Sequence, residues 1–237
     1  MLICLAKEIT TFITESRSTL KLHSDAKICI ISIVGKGPLG NSWSKTDALN
    51  TGFGLQVFKQ PAARFQEKEI KVEAYFDPAS QSVYLNLVGF RELSIGRHLL
   101  KSDNEKSELF SNLSAAEEEE CRVLLFLFLI SHIVILAEPC CRFDLSYMRL
   151  LRTLNSLRED TYETVREVLE SVEATSKGWV TGGRLCSPRL LFVFYKCPIR
   201  ADLGYAKRRE LIDKLERSLE DQIYNLFRRS RIITNDS

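Results

Sequence analysis

The chain has 237 residues, 45% of them hydrophobic and 27% charged, and a formal net charge of +2. This supplies the core and cover for one large α/β domain or two small ones, and it excludes an overall field directed at nucleic acid or membrane. Seven cysteines (Cys4, Cys29, Cys121, Cys140, Cys141, Cys186 and Cys197) follow no disulfide or zinc spacing. Their odd number and apolar neighbours point to reduced thiols packed as small hydrophobes, in a cytosolic or nuclear protein.

Residues 1–22 read as a helical lead-in. Met1-Leu-Ile-Cys-Leu-Ala meets Lys7 and Glu8 too soon for a secretory signal. Lys27-Ile-Cys-Ile-Ile-Ser-Ile-Val34 is a buried-type strand, followed by the glycine-rich loop Gly35-Lys-Gly-Pro-Leu-Gly40-Asn41-Ser42 and a short helix around 42–49. The loop has the spacing Gly-x-x-x-x-Gly-Lys-Ser/Thr of a phosphate cradle, with Asn41 where the lysine belongs. Asparagine cannot neutralise phosphate charge, and a hydrogen bond to a charged group contributes about 1.5–3 kcal/mol, so the exchange costs about one to two decades of affinity. Pro38 has no N–H to offer a phosphate. Gly35, Gly40, Asn41 and Ser42 therefore read as a vestigial phosphate loop, or as glycines that merely serve tight turns. Lys36 or Lys45 could replace the missing cation only from an unusual position, since Lys45-Thr46 lies too far from Gly40 for the standard register.

Residues 51–66 read as a loop. Val72–Phe76 and Val83–Val88 flank Asp77-Pro78, which suits a type I turn and predicts a β-hairpin. Residues 89–100 read as a helix and 101–112 as a polar linker. Ser114-Ala-Ala-Glu117 has capping-box spacing and predicts a helix start, with Leu124, Leu125 and Phe128 facing inward before a strand over 133–137. The apolar run from Val123 to Ala137 falls short of the ~20 residues a membrane span needs. Pro139 ends that strand, and Asp144 is placed to cap a helix carrying Leu150, Leu154, Leu157, Val165, Val168 and Val172. Residues 178–188 read as a loop, Leu190–Tyr195 as a fully apolar strand, and Ile212, Leu215, Leu219, Ile223 and Leu226 as the stripe of a final helix.

Alternating strands and helices with one early hairpin predict an α/β fold, a mostly parallel sheet with helices on both faces. The order resembles the G domain of P-loop GTPases, with degenerate nucleotide motifs over residues 23–237. Where that domain has Asp-x-x-Gly, this chain has Asn86-Leu-Val-Gly89, keeping the glycine and losing the charge. Where it has the base-reading Asn-Lys-x-Asp, this chain has Tyr195-Lys196-Cys197-Pro198. All of these motifs fall at C-terminal strand ends, where such folds bind ligands. No catalytic residue, working cofactor site or metal set emerges from the sequence. His132 reads as a satisfied core histidine and Cys140-Cys141 as buried thiols. Lys207, Arg208, Arg209, Arg228, Arg229 and Arg231 could contact RNA. Interleaved with Glu210, Asp213, Glu216, Glu220 and Asp221 and lacking an aromatic platform, they read better as a solvated or protein-binding face.

Leu124-Leu-Phe-Leu-Phe, Ser131-His-Ile-Val-Ile-Leu, Phe143-Asp-Leu-Ser-Tyr147, Leu154-Asn-Ser-Leu-Arg158, Cys186-Ser-Pro-Arg-Leu-Leu-Phe192 and Leu219–Arg231 resemble the SMG-eight family of nonsense-mediated mRNA decay. The resemblance is good from about residue 115 onward. It implies a cytoplasmic, non-catalytic G-like domain that binds no cofactor, pairs with the G domain of an SMG-nine-type protein, and docks on the SMG-one kinase complex to restrain it. It also implies one further strand beyond Ser237. Two other readings stand beside it: a nucleotide-hydrolysing G protein using a displaced lysine, and an RNA-binding adaptor acting through the C-terminal basic helix.

Overall fold

The computed structural model describes residues 27–36, 44–58, 70–91, 106–172 and 175–230. The expected lead-in helix over 1–22 and most of the expected helix over 89–100 lie outside them. The strands are β1 (Cys29–Gly35), β2 (Lys71–Asp77), β3 (Ser82–Val88), β4 (Ile133–Glu138) and β5 (Arg189–Phe194). The helices are α1 (Lys45–Phe53), α2 (Lys106–Ile130), α3 (Ser146–Ser171), α4 (Lys177–Gly182) and α5 (Tyr205–Arg229).

The strands form one mixed sheet in the order β2-β3-β1-β4-β5. Only the hairpin partner β2 runs antiparallel, pairing Tyr75 with Tyr84 and Asp77 with Ser82. The turn forms because Asp77 accepts from Ala79 N at 3.0 Å and from the Ser80 hydroxyl at 2.6 Å. β1 lies parallel between β3 and β4, with Ile33 opposite Asn86 and Gly35 opposite Ala137.

Strand alternation divides the sheet into two faces. Val34, Val83, Leu85, Leu87, Val134 and Leu136 share one buried cluster with Leu124, Leu127, Leu150, Leu154, Ile223 and Phe227, so α2, α3 and α5 cover this face. The opposite face carries α1, whose Phe53 ring meets Tyr84 edge-on at 4.7 Å. The end of α2 is buried on nearly every side (Leu124, Leu125, Leu127, Leu129, Ile130), which explains its run of continuous apolar residues.

Some boundaries differ from expectation. α2 begins at Lys106, so Ser114-Ala-Ala-Glu117 lies inside the helix and the polar stretch from Lys106 is helical rather than a linker. Capping-box spacing carries no force where the preceding residues can continue the helix. α1 runs on to Phe53 and ends at Gly54 in the left-handed conformation (φ 66°). Residues 178–182, read as the start of a loop, belong to α4 (Lys177–Gly182), capped by Ser176 and ended by Gly183 at φ 57°.

Candidate functional site

The C-terminal ends of β1, β3 and β4 converge on the start of α1 and α3. Gly35 closes β1. A Cβ there would stand 2.2 Å from the carbonyl oxygen of Ala137, so the close approach of β4 requires glycine at this position. Gly89, just past β3, has φ 86° and is a turn glycine. Gly40, Asn41 and Ser42 lie outside the described residues.

Ser44 starts α1 with a complete capping box: its hydroxyl accepts from Asp47 N at 3.1 Å, and Asp47 accepts from Ser44 N at 2.8 Å. Lys45 is therefore the first helical residue. Its side chain folds back beneath the strand ends, from outside the register that the glycine spacing of a standard loop would give. The ammonium donates to Gly35 O at 3.2 Å and to Leu87 O, and Lys45 is only 6% exposed. One buried cation thus ties the ends of β1 and β3. The sequence signal for this was Ser44-Lys-Thr-Asp47: the capping box fixes where the helix begins, whatever the length of the loop before it.

Asn86 is fully buried, and among the described residues neither its Oδ1 nor its Nδ2 has a hydrogen-bond partner. It occupies the strand end where Asp-x-x-Gly would place a carboxylate, and it brings no charge. Asn50 of α1, by contrast, uses both ends of its amide: it donates to Phe58 O at 2.9 Å and accepts from Val57 N and Phe58 N, both at 3.0 Å.

The other cations at this end of the sheet are engaged by the chain's own acids and hydroxyls. Lys36 donates to Asp144 and, at 3.4 Å, to Ser146, and it lies over the Tyr147 ring at 5.5 Å. Burial holds its pKa below the ordinary lysine value. Arg91 donates to Ser146 at 2.5 Å, while Glu120 accepts from its backbone N–H at 2.9 Å and lies 3.9 Å from its guanidinium. Glu138 is 2% exposed and accepts from the Tyr147 hydroxyl at 2.6 Å. Burial pushes its carboxyl pKa up, against the opposing pull of that hydroxyl and of Lys36 and Arg91.

After β5 the chain presents Tyr195, Lys196 and Pro198. Tyr195 N donates to Glu138 O at 3.1 Å, its hydroxyl is buried with no partner among the described residues, and burial pushes its pKa up to about 12. Lys196 and Pro198 are exposed, and no carboxylate follows at the base-reading position. Asp144 does not supply the formal N-cap of α3, which falls on Leu145, but it accepts from Ser146 N at 2.8 Å and so serves the same helix start.

Two side chains differ from expectation. His132 is exposed rather than in the core, at the mouth of β4; its Nδ1 accepts from Ile30 N at 3.0 Å and its Nε2 lies 3.5 Å from Cys186 Sγ. Cys140 is exposed and Cys141 half-buried, because the turn after Pro139 lies on the surface. Among the described residues no group of histidine, cysteine or acidic side chains could hold a metal ion, and no helix is long and apolar enough to cross a membrane. On α5, Glu210 pairs with both Lys207 (3.0 Å) and Lys214 (2.6 Å), whereas Arg228 and Arg229 are exposed in the last turn.

The Smg8_Smg9 family model matches residues 23–237. The chain belongs to the Smg8_Smg9 family. It is similar to the protein named nonsense-mediated mRNA decay factor SMG8 from Xenopus tropicalis, with 32% identity over 232 residues, covering 90% of this chain and 25% of the relative. The SMG8 proteins of Caenorhabditis briggsae (31% over 220 residues, 93% of this chain, 24% of the relative) and Caenorhabditis elegans (28% over 231 residues, 93% and 26%) are similar in the same way. The chain spans about a quarter of the length of these Smg8_Smg9 relatives.

Proposed function

We propose that this chain is a non-catalytic G-like interaction module. It heterodimerises with an SMG-nine-type G domain and helps recruit or regulate the SMG-one kinase in nonsense-mediated mRNA decay, in the cytoplasm. The strand order, with its single antiparallel hairpin strand and helices on both faces, supports the G-like part of this reading. Family membership and the names of the relatives support the place in mRNA decay.

One observation carries the non-catalytic part. The lysine that starts α1 donates to Gly35 O and Leu87 O, and the neighbouring strand end offers Asn86 where a Mg²⁺-supporting carboxylate would stand. A phosphate would have to win the ammonium away from a buried structural role and would meet an uncharged amide at the position of the metal-supporting acid. Lys36 and Arg91 are engaged by Asp144, Glu120 and Ser146, which supports a reading in which these cations serve the chain's own structure.

Mixing this protein, free of nucleotide, with an SMG-nine-type partner tests the reading. A 1:1 complex in size-exclusion chromatography is expected, unchanged by added GTP and Mg²⁺. Elution as two separate monomers at micromolar concentration would remove it. Because the helix start places Lys45 at the strand ends, a nucleotide-binding protein with a long loop before its lysine is the competing reading. Dependence of the complex on nucleotide bound to this subunit would favour it.

A further inference from the structure

The end of the sheet opposite Gly35 carries a concave surface of its own. β4 and β5 run parallel to β1, so β5 begins at that end. There the end of α2, the first half of α3 and the start of β5 border an open groove of about 420 Å³. Its floor is apolar. Leu125 and Leu154 line it with only 2% and 4% exposure, and Phe128 and Leu190 are half-covered beside them. The same lining holds three arginines, Arg152, Arg158 and Arg184, against one acid, Glu159, which leaves two positive charges in excess.

How these guanidiniums are engaged decides what the groove fits. Arg152 donates to a neutral acceptor, Ser230 O, at 3.1 and 3.3 Å. Arg158 donates to Asn155 Oδ1 at 3.3 Å and stands 3.9 Å from Glu159, whose carboxylate already accepts from Asn155 Nδ2 at 2.9 Å. Arg184 makes no side-chain hydrogen bond or ion pair among the described residues. The strand-end cluster is different, since Lys36 has Asp144 there and Arg91 has Glu120. Excess positive charge beside buried leucines selects a ligand with two characters: carboxylates for the guanidinium forks and an apolar anchor for the floor. A groove of this size admits a few side chains, which suits a short peptide segment. Nucleic acid fits less well, because its bases need an exposed ring to stack on, and Phe128, the one aromatic side chain lining the groove among the described residues, lies in the floor. We propose that this groove docks an acidic peptide segment of a partner protein. A side chain of leucine or phenylalanine size sits on Leu125 and Phe128, and flanking carboxylates meet Arg158 and Arg184. This surface lies apart from the strand-end site and does not depend on the function proposed for it.

Selection of displayed random dodecapeptides against the full-length gene product tests this. The selected peptides should be enriched in Asp and Glu flanking Leu or Phe. Arg158→Glu combined with Arg184→Glu should weaken their binding about tenfold or more, and binding to the parent should fall as salt rises. Exchanging the acids of a selected peptide for lysine should restore binding to that double variant, a rescue that a misfolded protein cannot give. Arg228→Glu with Arg229→Glu, on exposed arginines outside this groove, should leave binding unchanged. A selection without acidic peptides would overturn the proposal, as it would if the chain itself filled the groove. So would acidic peptides indifferent to the groove variant, failure of the lysine rescue, or equal loss in both double variants. Displacement of the bound peptide by an equal concentration of oligouridylate would overturn it too, since the ligand would then be nucleic acid.

Discussion

On one face of the sheet, Val34, Leu85, Leu87, Val134 and Leu136 meet α2, α3 and α5 in a continuous apolar cluster. On the other, the buried groups of α1 are Lys45, Thr46 and Asn50, and β3 adds Asn86, which has no hydrogen-bond partner among the described residues. The first face follows the rule that apolar burial holds a domain together. The second keeps polar groups under cover, where each contributes only as much as its hydrogen bonds return. Asn50 and Lys45 have theirs, and among the described residues Asn86 has none, so the same face holds two bonded polar groups and one unbonded.

Substitutions on the two faces should separate these contributions. Leu136→Ala on the apolar face should have the largest effect, about 2–5 kcal/mol of lost stability, read as a lower urea midpoint at unchanged slope. A loss under about 1 kcal/mol would mean that this face is loosely packed. Lys45→Met should follow, at about 1.5–3 kcal/mol, because it strips two buried carbonyls of a charged donor. If Lys45→Met proved neutral, the ammonium would not be tying β1 to β3, and the case for its structural role would fail.

Glu138→Gln sharpens the comparison through pH. Burial raises the folded-state pKa of Glu138 above its ordinary 4.5. The native state therefore holds its proton more tightly than the unfolded chain, and this group's contribution to stability falls as pH rises from about the unfolded value through the folded one. Glu120, also raised by burial, adds a slope of the same sign. Glutamine keeps an acceptor for the Tyr147 hydroxyl and cannot ionise, so the variant should lose less stability than the parent between pH 4.5 and 7 in paired denaturant titrations. An identical slope in both proteins would assign the dependence elsewhere. The smallest effect should come from Asn86→Leu, within about 1 kcal/mol of the parent and of stabilising sign, because no hydrogen bond is lost and a desolvated amide is removed. A loss of 3 kcal/mol would show that Asn86 has a partner it needs.

The parts of the fold legible in the sequence were those with short-range causes. Asp77-Pro78 gave the hairpin, the strand ending at Pro139 fell where expected, and the helical stripe from Leu150 to Val165 matched the buried face of α3. The misread parts had long-range causes. Periodicity made Leu190–Tyr195 a uniformly apolar strand, yet one face and one edge of β5 are open, since an apolar run does not reveal which neighbours the sheet provides. At the site, template spacing directed attention to Asn41, while the cation at the strand ends is Lys45. The fixed glycine-to-lysine distance holds only for a loop of standard length, and here nine residues, 36–44, separate Gly35 from Lys45. Lys36 with Asp144 and Arg91 with Glu120 join segments far apart in sequence and had no local signature.

On the proposed function, the positive charge at the strand ends serves the protein itself and not a nucleotide. Calorimetric titration of the isolated protein with GTP, GDP and ATP, each with Mg²⁺, tests it most directly. No binding heat is expected up to millimolar nucleotide, for the parent and for Lys45→Met alike. Micromolar binding by the parent that Lys45→Met abolishes would contradict it.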